Sequence, residues 1–287
     1  MIMIQRIIFG AVYAILAICL FLFATPFVTG IVMAAISVIA LTEFLKATDI
    51  FSNKSKLPVT IMAYVFFFFM VTEIIKGGST YQMTSSTAFM SGYGYLIPVI
   101  MLYIIMSLAV MVLNHKNISF NQVSSCIAGN IYITVSLMHL YLIRVMPDGK
   151  FYIWVPFLIA WLTDTFAYFT GFFMGKHKLI PSVSPKKTVE GSIGGISGAV
   201  IIVFLFQFIC YKFFGFEPNY INGVIVAVIC SIASQFGDLA ASCIKREHGV
   251  KDFGSIMPGH GGILDRFDSV IYISPIVFFV LNFIKIL

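Results

Sequence analysis

Along the chain, apolar stretches of about 17–24 residues alternate with short polar connectors. Nine such runs stand out, at roughly 7–24, 27–45, 58–75, 95–113, 125–145, 151–174, 191–214, 221–241 and 269–287. About 20 apolar residues are what a helix needs to cross a hydrocarbon core, whereas a barrel strand needs about half as many. Lipid admits only helices or closed barrels, because every backbone polar group must be satisfied within the protein. The pattern therefore predicts an all-α integral membrane protein with about nine transmembrane helices. The first run, behind Arg6, leads straight into another span, and Ala24-Thr25-Pro26 is a poor cleavage site, so a retained helix is expected there.

Composition supports this picture. Of 287 residues, 60% are hydrophobic and 10% charged, with a mean hydropathy of +0.99; a soluble domain carries about a quarter charged residues. The net charge of +6 does not indicate nucleic acid, because in a membrane protein the placement of charge matters more than its total. Cys19, Cys126, Cys210, Cys230 and Cys243 form no close pair and no metal spacing, so they read as small apolar residues.

An inside N-terminus would put thirteen of the eighteen Lys and Arg residues, among them Arg6, Lys46, Lys54 and Lys56, on the cytoplasmic side. Eight of the thirteen lie in two loops, 176–187 and 245–266. Orientation thus rests on the same residues as the chemistry. Residues 1–145 are apolar spans with bland loops, and the polar, nearly uncharged stretch 76–94 is expected to be an external connector. The C-terminal region, 146–287, holds nearly every informative polar residue and is the expected catalytic part.

Asp164 and Asp238 lie inside apolar runs without a basic residue at i±3 or i±4. An ionised side chain near the membrane centre costs about 2.5–3.5 kcal/mol on insertion scales, so each needs a reason, such as lining an aqueous or metal-bearing cavity. Asp265 and Asp268, three apart, fall on one face at the mouth of the last run, after a glycine-rich turn. Carboxylates grouped in this way suit a hard divalent cation such as Mg²⁺, which takes one or two of them and leaves its other positions to water and phosphate. Packing the eighth run against the ninth would bring Asp238 to Asp265 and Asp268.

Basic residues stand close by in sequence. Ser242, Lys245, Arg246 and Gly249 form one helical stripe, while Ser184, Lys186, Lys187 and Thr188 precede Glu190 and a glycine-rich helix start. Such a start offers backbone N–H groups to phosphate, and the lysines add charge. The combination points to phosphate chemistry at a membrane face. No Walker loop, HExxH or GxSxG sequence occurs.

The stretch Ser242–Asp268, SCIKREHGVKDFGSIMPGHGGILDRFD, resembles the signature of phosphatidate cytidylyltransferases, also called CDP-diacylglycerol synthases. The matching positions are Ser242, Lys245, Arg246, Lys251, Asp252, Phe253, Pro258 through Gly262, Asp265, Arg266 and Asp268. DTFAYFTG from Asp164, SPKKTVEG from Ser184 and the pair Gly237-Asp238 resemble the same family in the expected order. The resemblance implies Mg²⁺-dependent conversion of CTP and phosphatidic acid to CDP-diacylglycerol and pyrophosphate at the cytoplasmic face of the cell membrane. It assigns Asp238, Asp265 and Asp268 to the metal, with room for a second cation. Lys186, Lys187, Lys245 and Arg246 go to the phosphates, with Ser184, Thr188, Glu190, Ser242, Lys251 and Arg266 around the substrates. Asp164 would line the cavity, and His260 would donate to pyrophosphate or orient a ligand.

Three other readings compete. A CDP-alcohol phosphotransferase would carry a DG-x-x-AR block, which is absent. A CTP-dependent polyprenol kinase would move the γ-phosphate, and a transporter would leave the basic loops unexplained. The small residues at 191–198 also suit a helix interface, including one between two copies of the chain.

Overall fold

The computed structural model describes residues 16–50, 57–83, 96–257 and 261–287. Arg6, the start of the first apolar run, Lys54, Lys56, residues 84–94 of the polar stretch and His260 lie outside the described residues. Residues 16–23 are helical. Eight longer helices and one short one follow: α1 Pro26–Ala47, α2 Leu57–Met83, α3 Leu96–Leu113, α4 Phe120–Val145, α5 Gly149–Tyr152, α6 Trp154–Met174, α7 Val189–Phe214, α8 Tyr220–Glu247 and α9 Leu264–Phe283. Among the described residues, seven helices are long and apolar enough to cross a membrane. The run expected at 269–287 is helical as far as Phe283, and α9 begins five residues earlier and takes Asp265, Arg266 and Asp268 into its first turns. Helix α2 likewise continues to Met83, so the front of the expected 76–94 connector is helical. The chain is an all-α, multi-pass membrane protein.

The chain divides into two compact units, Met1–Lys150 with His248–Arg266, and Phe151–Glu247 with Phe267–Leu287. In the first, α4 packs against α1, α2 and α3. Helix α1 starts at a Thr25 cap, whose hydroxyl accepts the Val28 N–H at 3.4 Å, with Pro26 in its first turn. Helix α4 starts at a reciprocal Ser119–Gln122 capping box. Asn130 of α4 donates to the Ala63 carbonyl of α2 at 2.7 Å and accepts from Thr134 at 2.9 Å, a buried polar tie of the kind that holds helices together in lipid. Gly129 lies against the Phe44 ring of α1, where a Cβ has no room.

In the second unit α6, α7 and α8 pack together. The α6–α7 contact is built on glycine. Gly191, Gly194, Gly195 and Gly198 face Ala167, Thr170, Thr163 and Phe166. The small-residue face expected for helix packing is therefore occupied within the chain, and a second copy would need another surface. Thr163 and Ser231 join α6 to α8 at 2.9 Å. Gln207 of α7 donates to the carbonyls of Asn219 and Ile286 at 2.9 and 2.7 Å, tying down the C-terminal segment.

Between α6 and α7 the chain forms a small antiparallel hairpin, β1 Lys178–Ile180 with β2 Ser184–Thr188, in the register Lys178↔Thr188 and Ile180↔Ser184. Its strands are three and five residues long and heavily charged, too short for alternation to mark them in the sequence.

Candidate active site

The second unit gathers most of the predicted polar residues. Asp238 sits in the C-terminal half of α8, with Ser242 and Lys245 one and two turns further on the same face. Gly237 beside it has no room for a Cβ: one would lie 2.6 Å from Tyr272 Cβ and 3.1 Å from the Asp268 carbonyl. This close approach of α8 and α9 brings the Asp238 charge to bear on Asp268. Ser269 of α9 fastens the same contact by donating to the Ser234 carbonyl at 3.2 Å. Asp268 lies just ahead of the apolar run 269–287 and is 9% exposed. Burial first and the Asp238 charge second push its carboxyl up to about 7; the Ser269 N–H and Lys245 oppose this, and Asp164 adds to it. Two carboxylates forced together suit a cation, and an oxygen-only pair suits a hard one.

Positive charge is also present. Residues alternate across β2, so Lys186 points to solvent while Lys187 is half-buried and ion-paired with Asp238. Lys245 is close enough to Asp268 to favour its charged form. Lysine from the hairpin and lysine from α8 thus flank the two acids. Arg246 is exposed, Asp164 is exposed on α6, and Ser184 and Ser242 are half-buried.

Two expected substrate residues have structural partners. The Thr188 hydroxyl caps α7 by accepting the Gly191 N–H at 3.1 Å. The Val189 N–H donates to the His177 carbonyl at 2.9 Å. These two donors of the α7 start are therefore used by the chain itself, so that helix end is less open to an anion than the sequence suggests. Glu190 turns back to the chain entering the hairpin. It accepts the backbone N–H of Lys176 at 3.1 Å and of His177 at 3.2 Å, and pairs with His177 Nδ1 at 2.6 Å. Glu190 is a clasp at the base of the hairpin that carries Lys186 and Lys187.

In the first unit, the signature turn folds onto the N-terminal helices. Asp265 is 8% exposed, and its Oδ2 accepts the N–H groups of Phe253 at 2.8 Å and Gly262 at 3.0 Å. Gly261, at φ +85°, makes the turn that brings these donors round, and the Met257 N–H donates to its carbonyl at 2.9 Å. Phe253 packs on Phe44 of α1, ring centroids 6.3 Å apart. Lys251 and Arg266 are exposed. Among the described residues, no three His, Cys, Asp or Glu side chains form a ready-made metal cage. The Asp238–Asp268 pair has the donor chemistry for a divalent cation, while one oxygen of Asp265 is already committed to the turn.

The sequence reading passed over Glu43. This acid lies in the apolar run that became α1, is 3% exposed and accepts the N–H groups of Ile263 and Leu264 at 3.1 and 2.8 Å. The signal that singled out Asp164 and Asp238, an acid within a span, was present at Glu43 as well. Unlike Asp164 and Asp238, Glu43 has a basic residue, Lys46, at i+3.

A model of the cytidylyltransferase family matches residues 4–284. Curated relatives include the phosphatidate cytidylyltransferases of Staphylococcus haemolyticus, 45% identical over 166 residues, Staphylococcus saprophyticus, 43% identical over 166 residues, and Staphylococcus aureus, 43% identical over 166 residues. Each match covers 58% of this chain and 62% of the relative's own length.

Proposed function

The chain belongs to the cytidylyltransferase family, and we propose that it acts as a phosphatidate cytidylyltransferase, joining CTP to phosphatidic acid to give CDP-diacylglycerol and pyrophosphate. The observation that supports this most directly is the meeting of Asp238 and Asp268 with Lys187 and Lys245 in one helical unit. A phosphate oxygen of the lipid attacks the α-phosphorus of CTP. The bond from that phosphorus to the bridging oxygen breaks, and pyrophosphate leaves. The nucleophile is already an anion at neutral pH, so no strong general base is required. The work left to the protein is positioning two repelling anions and offsetting their charge.

Asp238 and Asp268, with Asp265 in the same helical turn as Asp268, would hold Mg²⁺ and, in this reading, a second cation. The ion supplies charge neutralisation and orientation for triphosphate oxygens. Lys187 and Lys245 stand beside those acids and offer charge to the same oxygens. In the same proposal Lys186, Arg246, Lys251 and Arg266 would offer charge to the phosphates, and Ser184, Ser242 and His260 would offer hydrogen-bond donors. Asp164, whose charge also reaches Asp268, would line the same cavity. The phosphatidic acid comes from the bilayer and the nucleotide from water, so the site belongs at the cytoplasmic mouth of the bundle in the cell membrane. A homodimer is part of the same proposal, on a surface other than the 191–198 face.

CTP labelled at its α-phosphate tests the reaction. Label is expected in the lipid extract only with phosphatidic acid and a divalent cation both present, and γ-label is expected to stay in the aqueous phase. Appearance of γ-label in the lipid would show a kinase, and the absence of α-label from the lipid would remove the reading.

The Glu190 clasp makes a smaller prediction. Glu190→Ala leaves its donors without their acceptor and loosens the hairpin carrying Lys186 and Lys187. KM for CTP is expected to rise about 3–10-fold, with kcat falling less, the pattern of lost substrate binding. Steady-state kinetics at saturating phosphatidic acid checks it.

A further inference from the structure

We propose that Glu43 is a positioning residue for the catalytic turn: a carboxylate from the N-terminal helices that caps the start of α9 and so fixes the turn carrying Asp265 and Asp268. The inference rests on the function proposed above, which assigns those acids to the reaction, but its geometry stands apart from it.

The N-terminus of a helix leaves N–H groups without partners. At α9 two of these flanking donors, on Ile263 and Leu264, point at the two oxygens of Glu43, one each. A residue 220 positions away in the chain does what a local Ser or Asp does for an ordinary helix. Within the same turn, Asp265 binds the Phe253 and Gly262 N–H groups. Four backbone donors of the turn are therefore held by two carboxylates, one local and one from α1.

The turn is also shaped to admit Glu43. A Cβ on Gly254 or on Gly262 would collide with the Glu43 carboxylate. Neither glycine has a positive φ, so room for that carboxylate, and not backbone conformation, is the requirement at both positions. Phe44, the next residue of α1, packs on Phe253 of the turn. The polar cap and the aromatic contact thus come from adjacent α1 residues and grip both ends of the turn. A buried acid at the end of a membrane helix has a clear role here: its charge faces the positive end of another helix.

The chemistry of the carboxylate matters in a way that can be tested. Glutamate presents two acceptors to two donors. Glutamine keeps the shape, but presents one acceptor and one N–H₂ group that opposes the second donor. Aspartate keeps both acceptors on a shorter stem.

Hydrogen exchange and kinetics on the full-length protein in detergent decide the matter together. In Glu43→Gln, amide exchange over residues 261–266 is expected to speed up about tenfold or more, because two of its N–H groups lose charged acceptors. Turnover is expected to fall about 10–100-fold, as small misplacements of reacting groups do, with KM for CTP within about twofold of wild type. Glu43→Asp is expected to recover part of both. Gly254→Ala, which crowds the carboxylate and leaves its charge, is expected to repeat both effects, and it serves if Glu43→Gln fails to insert. Unchanged exchange over 261–266 would overturn the cap. Faster exchange with wild-type kcat would overturn the positioning role. A wild-type protein that makes no CDP-diacylglycerol would remove the proposed function, while the exchange measurement would still decide the cap.

Discussion

Asp268→Asn is expected to lower turnover by about a thousandfold or more, the loss seen when a charged contact to a reacting phosphate or carbonyl oxygen is removed, while leaving the protein at least as stable as wild type. The two halves of this prediction have different causes. Turnover falls because a neutral amide is a far weaker partner for a hard cation and for the lysines beside it. Stability holds because the Asp268 charge is unfavourable in the protein: it is buried and stands against Asp238 across the α8–α9 contact. Asparagine removes the repulsion and keeps an oxygen to accept the Ser269 N–H, which Asp268 Oδ1 binds at 2.7 Å. A site that trades stability for function behaves in this way. Thermal midpoints in one detergent, beside turnover of labelled CTP, check it. A variant that keeps near-normal turnover would end the metal assignment, and one that melts well below wild type would show that the two carboxylates are not in conflict.

Asp265→Ala is expected to lose both. The carboxylate accepts two buried backbone N–H groups, and orphaning a buried donor costs about 1–3 kcal/mol. A destabilisation of about 2–6 kcal/mol follows from the same range, with turnover falling about a thousandfold as the turn loses its shape. Asp265→Asn retains an acceptor and is expected to melt between Asp265→Ala and wild type. The measurement is a thermal melt with limited proteolysis across 248–266. If Asp265→Ala melts like wild type, the carboxylate does not hold the turn. Asp265 and Asp268, three residues apart and identical in type, are thus expected to fail differently.

That difference was not legible in the sequence, where both acids read as one metal site. Which acid serves the turn and which meets Asp238 depends on where Phe253, Gly262 and α8 lie, and no spacing along the chain encodes this. The same holds for Thr188 and Glu190. Both were expected around the substrates, and folding in addition makes one a cap and the other a clasp. It also holds for Lys187, whose partner Asp238 is 51 positions away. The spans, by contrast, were legible nearly to their ends. The largest shifts among the described residues, α2 reaching Met83, α4 starting at Phe120, α8 running to Glu247 and α9 starting at Leu264, occur where polar residues continue a helix beyond its apolar part.

By itself the sequence determined that this is a helical membrane protein, and it raised the expectation of phosphate chemistry near Asp164, 184–190 and 238–268. These are local properties: hydrocarbon demands long unbroken apolar runs, and a polar cluster beside one is visible wherever it falls. Only the tertiary structure decided the pairings. It set Lys187 on Asp238, pressed Asp238 towards Asp268 through the bare face of Gly237, filled the 191–198 glycines with α6, and brought Glu43 from a bland N-terminal helix to the start of α9. A buried charge takes the partner that packing delivers to it, and that partner leaves no mark on the residues nearby in sequence.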